Sequence, residues 1–296
     1  LHKFFIRVHR AKFAQVEQTA DDLFQKCLDR LEGTYDVSEL RSLVNILLED
    51  AFGITPMDRA MKKRVVVDEH KLSNYLERIR NHEPIQYVTG KALFLNRSFN
   101  VAPGVLIPRP ETEELVQWIV DENEIKTPTI WDIGTGSGCI AISLAAEIPN
   151  AMVYASDIAK EALGIAETNN ATMGTSVQFL QSDVMADEMP PLEIDVLVSN
   201  PPYIPESDKQ EMHENVLLHE PSTALFVPNE DPLRFYRRIG QVGLVCLKDE
   251  GQLYFEVHER YAKDTLAMLV DMGYAQGEIR RDMQGKERMV RVRKNE

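Results

Sequence analysis

Asn200-Pro201-Pro202-Tyr203 follows the apolar run Asp195–Ser199 and has the residue types needed to handle a planar nitrogen. In an amide or an exocyclic amine that nitrogen is a poor nucleophile, because its lone pair is delocalised into a π system. Two acceptors, one on each N–H, turn the lone pair toward an electrophile. The Asn200 side-chain carbonyl supplies one acceptor and the Pro201 backbone carbonyl the other, held by the fixed φ of proline. The Tyr203 ring can wall the pocket and favour a cationic electrophile through its face. The nitrogen turns acidic only as the new bond forms, so positioning and electrostatics carry the chemistry without a strong general base. Asn200, Pro201 and Tyr203 are therefore the candidate catalytic residues, and Asn200, Pro201, Pro202 and Tyr203 the substrate-binding loop.

A second motif, Asp132-Ile133-Gly134-Thr135-Gly136-Ser137-Gly138, lies after a predicted strand and before an apolar helix. Glycines at alternate positions let a backbone turn sharply and approach a ligand closely. The spacing is GxGxG, not the GxGxxG of dinucleotide sites, so the ligand need not carry a pyrophosphate. Asp157 ends the next predicted strand, where a carboxylate can grip a ribose diol; it can also cap a helix over Ala159–Asn169. Asp183 follows the third predicted strand and can accept from an adenine amino group, with Val184 packing nearby; an Asp there is also a common turn residue. The cofactor-binding candidates are Gly134, Thr135, Gly136, Ser137, Gly138, Asp157, Asp183, Val184 and Asn200, and no metal site is expected.

These residues need strand ends to carry them. Strands are predicted over Thr129–Ile133, Met152–Ser156, Val177–Gln181, Asp195–Ser199, Gln252–Val257 and Arg288–Arg293, with helices between the first four. That alternation predicts a mostly parallel sheet with helices on both faces. The last two strands, separated by a helix and Gly273, can close it with an antiparallel strand. Upstream, Leu40, Leu43, Val44, Leu47 and Leu48 mark one helix face. Asp36 and Glu39 are placed for a capping box at its start and Gly53 for its end. Leu72, Tyr75, Leu76 and Ile79 mark a second helix after Asp68, and residues 11–32 a weaker one ending near Gly33. Between the halves, Pro84, Gly90, Pro103, Gly104 and Pro108 break helices, and an Asn96-Arg97 turn predicts a hairpin. The expected division is a helical domain over 1–83, serving to pack or to dock substrate, a β-hairpin linker over 84–108 and a catalytic domain over 109–296.

The chain of 296 residues has a net charge of -14, unevenly spread. Residues 1–107 sum to +2 and the remainder to -16, so the half that carries the motifs repels phosphate backbones and direct nucleic-acid binding is not expected. No apolar run is long enough for a membrane span, and Leu1–Arg10 lacks the pattern of a secretion signal. Cys27, Cys139 and Cys246 are too dispersed for a metal or disulfide framework, which suits a reducing cytoplasm.

The glycine loop, the acidic residue after the second strand and the Asn-Pro-Pro-Tyr loop together resemble Rossmann-like class I methyltransferases acting on planar nitrogens. Leu106-Ile107-Pro108-Arg109-Pro110-Glu111-Thr112-Glu113, His219-Glu220-Pro221 through Ala224-Leu225, and the spacing of Asp282, Gly285 and Arg288 are similar to the protein-glutamine N5-methyltransferases of peptide-chain release factors. The resemblance covers nearly the whole chain. It implies S-adenosylmethionine as cofactor, held at Gly134 to Gly138, Asp157, Val184 and Asn200. It also implies a release-factor glutamine, in a Gly-Gly-Gln motif, lying along Asn200 to Tyr203. Arg109, Glu111 and Glu113 match the family motif without a role that the sequence assigns. Pro228–Pro232 departs from it, standing where a glycine-rich turn is expected. Glutamine methylation of a ribosomal protein and adenine methylation remain open by the same chemistry. A nicotinamide oxidoreductase would need GxGxxG and gains nothing from the Asn-Pro-Pro-Tyr loop.

Overall fold

In the computed structural model, which describes residues 15–186, 192–275 and 277–296, the chain divides into two units, Leu1–Thr89 and Gly90–Glu296. In the first, strand β1 (Gln15–Thr19) leads into helices α1 (Ala20–Arg30), α2 (Val37–Phe52) and α3 (Pro56–Ala60). Strand β2 (Arg64–Asp68), α4 (Glu69–Arg80) and α5 (Ile85–Thr89) follow. Helix α2 buries Leu40, Val44, Leu47 and Leu48 as their spacing predicts, and Gly53 ends it at φ 67°. Asp36 is its N-cap but makes no side-chain cap hydrogen bond, so the expected capping box is absent. The box forms instead at α3, where Thr55 and Asp58 satisfy each other's backbone N–H.

The helix expected over residues 11–32 is shorter. Residues 11–14 lie outside the described residues, and Gln15–Thr19 pairs antiparallel with Arg64–Asp68. The β-branched run Val65–Val67 favours that ladder, and the Thr19 hydroxyl then caps α1 by accepting from the Asp22 N–H at 3.1 Å.

The second unit starts with a hairpin, β3 (Lys91–Phe94) and β4 (Arg97–Asn100). Its two-residue loop is Leu95-Asn96, at φ 46° and 58°, one residue earlier than expected; both residues are left-handed, as the twist of a tight hairpin requires. Part of the expected linker, residues 85–89, is the helix α5.

Helix α6 (Pro110–Glu122) then leads into β5 (Thr129–Ile133), α7 (Cys139–Glu147), β6 (Met152–Asp157), α8 (Lys160–Met173), β7 (Gln178–Gln181) and β8 (Ile194–Ser199). Two short strands, β9 (Ile204–Pro205) and β10 (Phe226–Val227), pair in parallel around helices α9 (Glu214–His219) and α10 (Ser222–Leu225). The chain ends with α11 (Arg234–Cys246), β11 (Leu247–Glu256), α12 (Ala262–Asp271), β12 (Glu278–Arg281) and β13 (Glu287–Arg293).

Seven strands form one sheet in the order β12-β13-β11-β8-β5-β6-β7. From β11 to β7 neighbours are parallel, while β13 runs antiparallel between β11 and β12. Strand β12, not expected from sequence, adds the outer edge. Alternating residues feed the two faces, as a sheet covered on both sides demands. Ile130, Val196, Val198 and Tyr254 pack with Trp118 of α6 and Ile140 of α7. Trp131, Leu197, Leu253 and Phe255 pack with Tyr236 and Ile239 of α11 and Leu269 of α12. The strand order reverses between β5 and β8. In such sheets ligands bind at the carboxyl ends of the strands flanking that switch, and both chemical motifs begin there.

Candidate active site

The loop after β5 turns on glycines. Gly134, Gly136 and Gly138 have φ of 76°, 55° and 82°, a conformation that side chains disfavour. A Cβ on Gly138 would also meet Ile142 Cδ1 at 2.7 Å and Ala166 Cβ at 3.1 Å, so this glycine lets α7 and α8 approach. The loop is pinned by its own strands. The Gly134 and Thr135 N–H groups donate to the Ser156 carbonyl at 2.8 and 3.0 Å. The Thr135 hydroxyl donates to Asp132 Oδ2 at 2.6 Å, and burial raises the Asp132 carboxyl to about 7. From α8, the buried Asn169 donates to the Ser137 carbonyl at 2.9 Å and the Asn100 carbonyl at 3.0 Å, tying the hairpin to the loop.

Asp157, at the end of β6, accepts from the Gly136 N–H at 2.8 Å through Oδ2 and from the Ala159 N–H at 2.9 Å through Oδ1. The formal N-cap of α8 is Ala159, and the helix starts at Lys160 rather than Ala159. A carboxylate oxygen has two lone pairs, so these bonds orient Asp157 while leaving acceptor capacity. Asp183 follows β7 and holds a turn, accepting from the Met185 N–H at 2.8 Å. The Val184 carbonyl accepts from Arg238 Nε at 2.7 Å, and its side chain packs on the α11 face of the sheet.

The proline loop after β8 is held from beneath. Ser199 donates to the Ile133 carbonyl at 2.6 Å, joining the ends of β8 and β5. Asn200 is half-buried, Pro201 is buried, and the Tyr203 N–H donates to the Leu225 carbonyl at 3.3 Å. The Asn200 Nδ2 donates to Thr112 Oγ1 at 3.2 Å. Thr112 in turn donates to Glu256 Oε2 at 2.6 Å, and the Tyr203 hydroxyl donates to Glu256 Oε1 at 3.0 Å. Glu256 is 1% exposed. Burial raises its carboxyl above the ordinary range, against the lowering hydrogen bonds of Thr112 and Tyr203 and the charge of Arg288. Burial and the Glu256 charge raise the Tyr203 phenol.

Sequence reasoning missed Glu256. A lone acid inside Leu253–Val257, an otherwise apolar strand end, was the available signal.

The remaining family-like stretches converge on the same loops. Arg109 Nη2 meets Glu220 Oε1 at 2.6 Å, and Glu220 Oε2 accepts from the Ile107 N–H at 3.2 Å. Asp282 and Gly285 lie in the turn between β12 and β13, and Arg288 is near the start of β13. There the Asp282 carboxylate accepts from the Lys286 N–H at 2.9 Å and from Arg288 Nε at 3.3 Å. In the departing stretch, Asp231 pairs with Arg237 at 2.8 Å and Asn229 accepts from the Ser207 N–H at 2.9 Å.

A cavity of about 110 Å³ opens beside the proline loop, lined by Leu106, Arg109, Asn200, Tyr203, Met212, Val216 and Leu225, among others. A larger recess, about 460 Å³, lies among Glu122–Ile125, Asp195 and Glu250 and touches none of the motif residues. The smaller cavity is the one that the candidate residues Asn200 and Tyr203 line.

The family description "Methyltransferase small domain" matches residues 111–226, and "PrmC N-terminal domain" matches residues 22–90. A methyltransferase structure from Pyrococcus furiosus aligns at TM-score 0.52 and 15% identity, covering 76% of this chain and all of that one, a likeness of fold. The release factor glutamine methyltransferase of Flavobacterium psychrophilum is 38% identical over 88% of this chain and 94% of its own length. That of Bacteroides thetaiotaomicron is 45% identical over 88% of this chain and 95% of its own length. With both of its units matched and identity of that order sustained along nearly the full length of these relatives, the chain belongs to the release factor glutamine methyltransferase family.

Proposed function

We propose that the protein transfers a methyl group from S-adenosylmethionine to the side-chain amide nitrogen of the glutamine in the Gly-Gly-Gln motif of peptide-chain release factors. The orientation of Asn200 carries this reading. Its Nδ2 is turned inward to Thr112, so Oδ1, on the other side of the carboxamide, faces the opposite way as an acceptor. Beside it the Pro201 carbonyl is the second acceptor for a primary amide. Pro202 and Tyr203 complete the loop, and the cavity of about 110 Å³ suits one small side chain.

The residues present fit the cofactor. Space around Gly134 and Gly136 is open where a Cβ would project, and the oriented Asp157 carboxylate can accept from a diol. Gly134, Thr135, Gly136, Ser137, Gly138, Asp157, Asp183, Val184 and Asn200 are the proposed cofactor-binding residues. Bound there, S-adenosylmethionine supplies a methyl group made electrophilic by a sulfonium. Asn200 and Pro201 orient the amide lone pair, and Tyr203 walls the pocket. An interaction of this kind is worth most where water is excluded.

A pocket that admits one side chain cannot read a whole protein. The helical unit is therefore the proposed docking module, working in the cytoplasm on a folded factor. Among the described residues no helix is long and apolar enough to cross a membrane. The test is mass spectrometry of an intact release factor and of a short Gly-Gly-Gln peptide after incubation with enzyme and cofactor. One methyl group on that glutamine is expected. Transfer to the intact factor is expected to fall as salt rises, since exposed charges are screened over about 8 Å at physiological ionic strength. Methyl incorporation into DNA, with none into either glutamine substrate, would overturn the reading.

A further inference from the structure

Asn200 can serve as an acceptor only if its carboxamide is held one way round. Both ways fill the same space, so packing cannot choose between them. Hydrogen-bond polarity can, and the chain beneath Asn200 has a fixed direction. An ionised carboxylate accepts and never donates, and a hydroxyl has one proton to give. Glu256 takes the Thr112 proton through Oε2 at 2.6 Å and the Tyr203 proton through Oε1 at 3.0 Å. With its proton committed, Thr112 Oγ1 can only accept, so it receives Asn200 Nδ2, at 3.2 Å. The Asn200 oxygen is thereby turned away from Thr112.

We propose that Glu256 and Thr112 are positioning residues of the transfer reaction. The buried carboxylate sets the donor-to-acceptor direction of a relay running from Asn200 through Thr112, and locks the Tyr203 hydroxyl into the same acceptor. Neither residue touches substrate; both act through Asn200 and Tyr203. This rests on the amide-methylation reading above.

The relay has a sign. A protonated Glu256 is itself a donor, so Thr112 can pass its proton to Asn200 and the carboxamide can invert. Activity is therefore present when Glu256 is ionised and lost as pH falls through its pKa. Burial holds that pKa above the ordinary carboxylate range. The groups facing Glu256 are Thr112 and Glu111 of α6, Cys139 of α7, Tyr203, Tyr236 of α11 and Arg288 of β13. Arg288 favours ionisation and Glu111 opposes it.

The experiment measures kcat and KM for a Gly-Gly-Gln peptide, cofactor Kd, melting temperature and the pH dependence of kcat. It compares wild type with Thr112→Val, Thr112→Ser, Glu256→Gln and the double variant Thr112→Val/Glu256→Gln. Thr112→Val keeps the shape and removes the hydroxyl. A loss of about 100-fold in kcat is expected, the scale of removing one preorganised polar group from such a site. KM and cofactor Kd should move by no more than about threefold, since the loss falls on the transition state. Thr112→Ser restores most of the rate. Glu256→Gln loses a similar factor and abolishes the acidic limb of the pH profile. The double variant is no slower than the slower single, as expected of residues acting as one unit.

Unchanged kcat in Thr112→Val or Glu256→Gln overturns the relay while leaving glutamine methylation intact. So does a loss in Thr112→Val that Thr112→Ser fails to restore, or losses that simply follow melting temperature. A wild-type enzyme that does not methylate glutamine overturns both.

Discussion

The loops that leave the adjacent strands β5 and β8 meet opposite demands with opposite residues. After β5, three glycines at positive φ strip the backbone of side chains, and position comes from main-chain bonds to Ser156 and Asp157. After β8, two prolines stiffen the backbone, and the two side chains proposed to act on the substrate amide rest on buried groups, Asn200 on Thr112 and Tyr203 on Glu256. A loop that must admit a ligand against its main chain gives up Cβ atoms. A loop that must aim an acceptor gives up backbone freedom. On the proposed function one loop serves binding and the other turnover, and substitutions should separate the two.

The largest effect is expected at the proline loop. Asn200→Ala should lower kcat by about 1,000-fold, the upper end for a lost preorganised group, with cofactor Kd changed only a few-fold. Single-turnover rates with calorimetric cofactor binding check this. Near-normal turnover would break the division between the loops.

Next comes Gly138→Ala. The added Cβ meets Ile142 and Ala166 in a backbone at φ 82°. A loss of about 2–3 kcal/mol in stability is expected, from combined overpacking and backbone strain, read by urea unfolding. A neutral result would mean that α7 and α8 are less tightly apposed than described.

Asp157→Ala should weaken cofactor binding by about 10- to 100-fold, the cost of leaving polar partners unmet. It should also shrink the rise in melting temperature that S-adenosylmethionine gives by linkage. The kcat at saturating cofactor should stay within a few-fold of wild type. A loss confined to kcat would reverse the assignment of the two loops.

The last effect is a pH dependence of stability. Asp132, under the glycine loop, is raised by burial to about 7 from an ordinary 3.8. A folded-state pKa above the unfolded value means stability fully present below about 4 and lost as pH rises toward about 7. Asp132→Asn removes that dependence. The variant should therefore gain on the wild type between these values, in melting temperature, and run parallel to it above. A constant difference across that window would show that Asp132 does not titrate there.

Parts of this comparison were legible in the linear chain. The two loops announce themselves because glycine and proline act locally, on φ and on the space at one residue. The strands that carry them are runs of apolar residues, and β5, β6, β8 and β13 fall within a residue of their predicted bounds. Helix α2 and its Gly53 terminus follow from periodicity and one left-handed residue. The failures are as specific. Gln15–Thr19 reads as helix until its partner, Arg64–Asp68, supplies the ladder, and Asp36 looks like half of a capping box whose hydrogen bond does not form. Asp157 was legible as an acceptor, but not its grip on the Gly136 and Ala159 N–H groups.

The amino-acid sequence by itself determined the strands β5 to β8, the helices α7 and α8 between the first three of them, the glycine loop and the proline loop, because each depends on the conformational range of single residues or the period of apolar ones. Only the tertiary structure decided what supports them. Thr112 and Glu256 are 144 residues apart and Arg109 and Glu220 are 111 apart, yet each pair lies within 2.6 Å. No local propensity encodes such pairs. The first exists because β11 runs parallel to β8 and ends in a buried carboxylate, within reach of Thr112 on α6 and of Tyr203 in the loop after β8.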